Sequence, residues 1–116
     1  MNKFLILKSN EMLMVDAEDI LYFETLGNHS CICYMRNGVT RRAVVKENLK
    51  SLEGSLEEYD FLRVHRSFIA AVNHIAEIKD GWIFLDNAEE SRIPLGGTSV
   101  GAIGRALKER ASQVLD

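Results

Sequence analysis

The residues best equipped for chemistry sit in Phe61-Leu-Arg-Val-His-Arg-Ser-Phe-Ile69, where Arg63, His65 and Arg66 are spaced between apolar neighbours. A segment of this kind anchors itself in a core and turns two guanidinium groups and a ring donor outward, which suits recognition better than catalysis. A second group is His29, Cys31 and Cys33. Alternation puts one imidazole and two thiols on a single strand face, a trio that soft metals accept. No second ligand pair follows at the usual spacing, and core burial accounts for both cysteines, so no metal is expected. His65 and His74, with Glu24 or Glu77 to orient them, form a candidate acid–base set. No nucleophile motif accompanies them, and an enzyme is not expected. Gly96-Gly97 ahead of a capped helix could hold a phosphate, but the chain has neither a P-loop nor GxGxxG, and the pair reads as a strand-to-helix turn. No cofactor and no small-molecule substrate is expected.

The elements that must position these groups are short. Residues 3–8 and Met12 to Val15 read as two strands joined at Ser9-Asn10-Glu11, and Asp16 to Asp19 as a polar break about one helical turn long. Ile20 to Leu26 is a third strand, closed by Gly27-Asn28, whose loop delivers His29. Ser30 to Met35 and Val39 to Val45 flank Arg36-Asn37-Gly38, a tight hairpin signal. The period then changes: Val45, Leu49, Leu52 and Leu56 line one helix face, giving a short helix near 46–56 that Gly54 weakens.

Phe61 to Val64 predicts a strand, His65-Arg66-Ser67 a bend, and Val72 to Ile78 a further strand after the small pair Ala70-Ala71. Asp80-Gly81 predicts a second hairpin into Trp82 to Leu85. Asp86 to Glu90 is an acidic loop, and Arg92 to Leu95 is confined to an edge because Pro94 has no amide donor. Thr98 or Ser99 caps a final helix near 99–113.

Composition sets the frame. The 116 residues are 47% apolar and 27% charged, which describes one globular domain over 1–116. Neither a signal segment nor a membrane-length apolar run is present, so a cytoplasmic location is expected, with no membrane partner. Cys31 and Cys33 are badly placed to bridge each other, and reduced thiols fit that location. The net charge of -3 disfavours nucleic acid as a partner, since phosphate neutralisation supplies most non-specific affinity. Distribution works the other way: Arg36, Arg41, Arg42, Lys46, Lys50, Arg63 and Arg66 are seven of the fourteen basic residues.

Taken in order, Asp19 to Glu24 with Gly27-Asn28-His29, Asn48-Leu49 through Leu56, Phe61 to Ile69, Ile75 to Ile78, and Ile93-Pro94-Leu95 give a pattern over nearly the whole chain. This pattern resembles the LytTR family of bacterial DNA-binding domains, the output domains of LytR/AlgR-like response regulators in two-component systems; His65-Arg66-Ser67 in this setting is its most specific part. The resemblance implies a mainly β fold of about ten short antiparallel strands with little helix, in agreement with the strands read from turns and alternation. It further implies sequence-specific transcription regulation, with double-stranded DNA at promoter repeats as partner. Family members insert loops into successive major grooves and bend the duplex. No receiver domain is expected ahead of the motif in 1–116.

By position, the matching loops carry Asn28 and His29, then His65, Arg66 and Ser67, then Gly97 and Thr98, with Arg41, Arg42 and Lys46 as auxiliary phosphate contacts. Arg66 suits guanine or phosphate, and Asn28 a base edge. Two positions depart from the family. Gly96-Gly97-Thr98 stands where relatives usually carry Ser-Arg, and Ala71 where they usually carry Asn, an apparent loss of one cation and one amide from the DNA side. If each had made a good contact, the loss would be about 1 to 3 kcal/mol apiece. The alternative reading is therefore a LytTR-like domain with weakened or lost DNA binding, acting as a protein interaction or regulatory module. Self-association as a dimer through a sheet edge near Pro94 or the terminal helix is a further expectation.

Overall fold

Two hairpins are fixed by their own turn residues. The strands β4 (His29–Arg36) and β5 (Val39–Val45) meet at Asn37 and Gly38, with φ of 52° and 75°. The strands β8 (Ile75–Lys79) and β9 (Trp82–Leu85) meet at Asp80 and Gly81, with φ of 53° and 81°. Both central residues are left-handed in each case, the turn geometry whose twist matches the flanking strands. A computed structural model describes residues 4–8, 12–86, 92–97 and 100–111. The remaining strands are β1 (Phe4–Lys8), β2 (Met12–Asp16), β3 (Ile20–Leu26), β6 (Phe61–His65), β7 (Phe68–Ala71) and β10 (Arg92–Pro94). The helices are α1 (Leu49–Ser55) and α2 (Val100–Arg110). The fold is mainly β, as expected.

A five-stranded antiparallel sheet ordered β5-β4-β3-β7-β6 is the centre, flanked by the β1-β2 hairpin and a three-stranded sheet β10-β9-β8. The middle strands of the central sheet are covered on both faces, while β5 at its edge is largely exposed. Phe23, Ile32, Tyr34, Val45 and Ile69 pack on Leu7 and Val15 of the first hairpin and on Leu49 and Leu52 of α1, with Leu56 just beyond it. On the other face Tyr22, Cys33, Val64 and Ala70 pack on Ile83, Leu85 and Ile93 and on Ile103 of α2. A register shift between Ile20 and Tyr22 lets the adjacent Leu21 and Tyr22 serve the same core.

Three local expectations change. Phe68–Ala71, of which the sequence suggests only a small pair Ala70-Ala71 after the His65-Arg66-Ser67 bend, is the strand β7, which lies between β3 and β6 with Ala70 and Ala71 fully buried. Two alanines carry little strand propensity, and tertiary pairing decides. Val72–His74, read as strand, is a 3₁₀ turn, and pairing resumes only at Ile75. The first helix begins at Leu49 rather than 46, because Asn48 is its cap and accepts from the Ser51 amide at 2.9 Å. Other expectations hold: Ala17–Asp19 is a single 3₁₀ turn capped by Asp16, and Pro94 lies on an edge strand. The caps expected at Thr98 and Ser99, and most of the acidic loop to Glu90, lie outside the described residues.

Candidate nucleic-acid interface

Strand pairing brings the chemically equipped loops to one end of the central sheet. The β3–β4 connection has two residues, Gly27 and Asn28, and closes on the pair Leu26 and His29. Gly27 alone takes a positive φ, 60°, which a β-carbon would strain. The β6–β7 connection is Arg66-Ser67, closing on the pair His65 and Phe68. These tips are neighbours because β3 pairs with β7: Glu24 lies opposite Phe68, and the Thr25 amide donates to the Ser67 carbonyl at 2.9 Å.

Both flanks of this pair are also occupied. On one side Val45 is paired with Ser30, so Lys46 emerges at the same end, and the buried Ser30 hydroxyl donates to the Glu47 carbonyl at 2.7 Å. On the other side the Gly96 amide donates to the Val64 carbonyl at 2.9 Å, which sets Gly96-Gly97 against the end of β6. The result is a row of Lys46, Asn28-His29, Arg66-Ser67 and Gly97. With adjacent strands about 4.8 Å apart, the row is about 20 to 24 Å long.

Side chains along the row differ in freedom. Asn28, His29, Lys46 and Arg66 are exposed, and none has a side-chain hydrogen bond or ion pair among the described residues. His65 is half-buried and works for the turn, its Nδ1 accepting from the Ser67 amide at 3.1 Å while the ring stands edge-on to Phe68. In the neutral ring that bond leaves Nε2 as the nitrogen that carries the hydrogen. Arg63 supports the same turn from behind. Its Nε donates to the His65 carbonyl at 2.9 Å, and its two terminal nitrogens donate to the Arg66 carbonyl and to Glu53 of α1. Read from sequence, Arg63 is one of two guanidinium groups that the segment turns outward; in the fold it is used on the turn. A guanidinium two residues before the turn, on a strand with an apolar neighbour on each side, was the available signal.

Several expected members lie elsewhere. Arg42 is paired in register with Cys33, about 10 Å along the strand from the Ser30 and Val45 pair. Its guanidinium donates to the Tyr22 hydroxyl at 2.6 Å and lies 4.0 Å from Glu24. Arg41 is exposed opposite Tyr34, one pair further from the tips. Ala71 is fully buried at the far end of β7, opposite Phe61, so the asparagine missing there removes nothing from this end of the sheet. Gly97 is exposed at the row, and an added β-carbon meets no atom within 4 Å. Thr98 lies outside the described residues.

The metal trio does not converge. His29 is exposed, Cys31 half-buried and Cys33 fully buried, and His29 and Cys33 are about 13 Å apart along one strand. No cluster of three His, Cys, Asp or Glu side chains able to hold a metal occurs among the described residues. Burial, ahead of all other causes, pushes the Cys33 thiol up, and it pushes the Tyr22 phenol up to about 12. His65 and His74 do not form a pair either: His74 bridges the Glu18 carbonyl and Asp86. No helix among the described residues is long and apolar enough to cross a membrane.

Comparison with known proteins gives a consistent picture. The family model described as LytTr DNA-binding domain matches residues 10–108. The chain is 31% identical over 111 residues to the sensory transduction protein LytT of Bacillus cereus, and 30% identical over 111 residues to that of Bacillus anthracis. Each match covers 93% of this chain but only 44% of the relative, so the chain spans less than half the length of these proteins. A solved LytTr DNA-binding domain from Bacillus cereus superposes with a TM-score of 0.71 at 23% identity, covering 90% of this chain and 95% of that one. That likeness is one of fold.

Proposed function

Because the chain belongs to the LytTR family of DNA-binding domains, as the match over residues 10–108 shows, we propose that it is a sequence-specific transcription regulator that binds double-stranded DNA through the row of loops. The observation that carries this reading is the alignment of Lys46, Asn28, His29 and Arg66, all exposed and unpaired among the described residues, along one end of a rigid sheet. A row about 20 to 24 Å long exceeds the ~12 Å width of a major groove. The two central tips therefore enter the groove, where Asn28 meets a base edge and Arg66 takes a bidentate contact. The outer members, Lys46 and the Gly97 amide, fall on flanking phosphates. The net charge of -3 is compatible with this, because the cations are concentrated where the phosphates lie.

Promoter repeats are the natural target of such a unit, one domain per repeat, with the two copies acting as a dimer on DNA. The chain works in the cytoplasm as the DNA-reading part of a regulator and supports no catalysis. Arg41 and Arg42, on β5 away from the tips, add long-range attraction more than contact.

Fluorescence titration of a labelled promoter fragment containing two repeats, at two salt concentrations, tests the reading. Saturable binding that weakens with salt and exceeds binding to a scrambled fragment is expected. Salt-independent or absent binding overturns it and favours the protein-interaction module.

A further inference from the structure

The turn that carries Arg66 differs from the other tight hairpins of the fold. Asn37-Gly38 and Asp80-Gly81 each place two residues at positive φ, and Gly27 supplies one at the β3–β4 tip. Neither Arg66 nor Ser67 does so. A two-residue connection without left-handed residues splays its strands, and here the strand pairing slips between Arg63 and His65 to compensate. The backbone of this turn is therefore not held by its own residue preferences.

What holds it is a set of side chains. The His65 ring takes up the Ser67 amide, and the Arg63 guanidinium binds the carbonyls of both His65 and Arg66. Glu53 pairs with the same guanidinium from α1 and fixes its plane. A planar fork with five donors can bridge two carbonyls and a carboxylate at once, which a lysine ammonium on its flexible stem does not reproduce. The charge of Arg63 is thereby used inside the protein, and its side chain is only 31% exposed.

We propose that Arg63, braced by Glu53, is the positioning residue of the DNA surface: it sets the Arg66-Ser67 turn and so the direction in which Arg66 is presented, without touching DNA itself. This rests on the reading of the row as a DNA surface. It assigns α1, which lies behind the sheet, a part in recognition through one side chain.

The test is a double-mutant cycle read by DNA titration at two salt concentrations. Arg63→Lys keeps the charge and loses the fork, and Arg63→Gln loses both. Each is expected to weaken specific binding about tenfold, the size of one lost base contact, with the salt slope of the unaltered protein. On an Arg66→Ala background the same substitutions are expected to cost no further affinity, because the group they aim is gone. A general loss of folded protein would add to Arg66→Ala instead. In the free protein, hydrogen exchange at the Arg66 and Ser67 amides is expected to accelerate in both variants. Glu53→Ala, at an exposed helix position, is expected to accelerate the same amides and provides that reading even where an Arg63 variant unfolds. Wild-type affinity in Arg63→Lys, or a salt slope lowered by about one in Arg63→Gln alone, overturns the proposal, the second by making Arg63 a phosphate contact. Absence of DNA binding in the unaltered protein overturns the functional reading, and this proposal with it; normal binding in the variants overturns this proposal alone.

Discussion

The amide of Thr25 and the carbonyl of Ser67, 42 residues apart in sequence, are joined by a hydrogen bond of 2.9 Å. It extends the β3–β7 ladder up to the point where the second hairpin turns, so the Gly27-Asn28 and Arg66-Ser67 connections are neighbours through a backbone bond. The side chains of Asn28, His29 and Arg66, which have no partner among the described residues, can then be replaced without altering the scaffold.

Arg66→Ala is the first such replacement. Arg66 is exposed and its side chain supports nothing else among the described residues, so thermal stability should stay within about 0.5 kcal/mol of the unaltered protein. Binding to the repeat fragment should weaken by about 1 to 3 kcal/mol, with the preference over scrambled DNA reduced. Lys46→Ala should behave differently: binding weakens equally on both fragments, and the salt slope falls by about 0.9. Titrations on both fragments check the pair.

Gly97→Arg adds to the row the cation that the family resemblance implies at this position. The position is open around an added β-carbon, and its backbone is not left-handed, so the substitution meets no steric or conformational penalty. Affinity should rise by roughly 1 kcal/mol or more, with a salt slope steeper by about 0.9, and a Gly97→Ala control should leave both unchanged. Unaltered affinity in Gly97→Arg would remove Gly97 from the DNA surface.

Ala71→Asn restores the other departure, at a buried position opposite Phe61 and away from the row of loops. Ala71 is the cap of the Val72–His74 turn and offers it no side-chain hydrogen bond, whereas Asp16 caps the Ala17–Asp19 turn through the Glu18 amide at 3.0 Å. The substitution should act on stability, where a cap worth about 0.5 to 2 kcal/mol is set against fitting a larger amide at a fully buried position, and leave DNA affinity within a factor of about two. Urea unfolding and titration of the same preparation separate the two effects.

What could be read from the sequence is what local chemistry forces. Asn37-Gly38 and Asp80-Gly81 announce their turns because left-handed backbone has few tenants, and the Leu49, Leu52 and Leu56 stripe announces a helix because only one period suits it. The strand at Phe68–Ala71 was hidden because its alanines owe their place to β3 and β6 on either side. The sequence presents Arg42 as an auxiliary phosphate contact through the resemblance and the basic middle third; its bond to the Tyr22 hydroxyl depends on strand register, which no local pattern encodes. Arg63 was likewise legible as a cation and illegible as a brace, since its partner Glu53 lies on a helix ten residues earlier.

The Tyr22–Arg42 contact yields a prediction about alkaline stability. Burial raises the Tyr22 phenol from its ordinary value of 10.0 to about 12, more than the adjacent guanidinium lowers it. The folded state thus keeps the proton when the unfolded chain has begun to lose it. Stability from this group is complete below about pH 10 and declines as pH rises through about 12. The full loss is about 2 to 3 kcal/mol, at about 1.4 kcal/mol for each unit. Tyr22→Phe cannot titrate there, though it forfeits the Arg42 hydrogen bond and should be less stable than the unaltered protein at pH 8, by about 1 kcal/mol. The Cys33 thiol is coupled to the phenol and is pushed up by the same burial, so the difference between the two proteins reports the Tyr22–Cys33 pair, with the phenol its larger member. Urea unfolding of both from pH 8 upward should show that gap closing above pH 10 and then reversing; parallel curves would mean that the phenol ionises in the folded state as readily as in the unfolded chain.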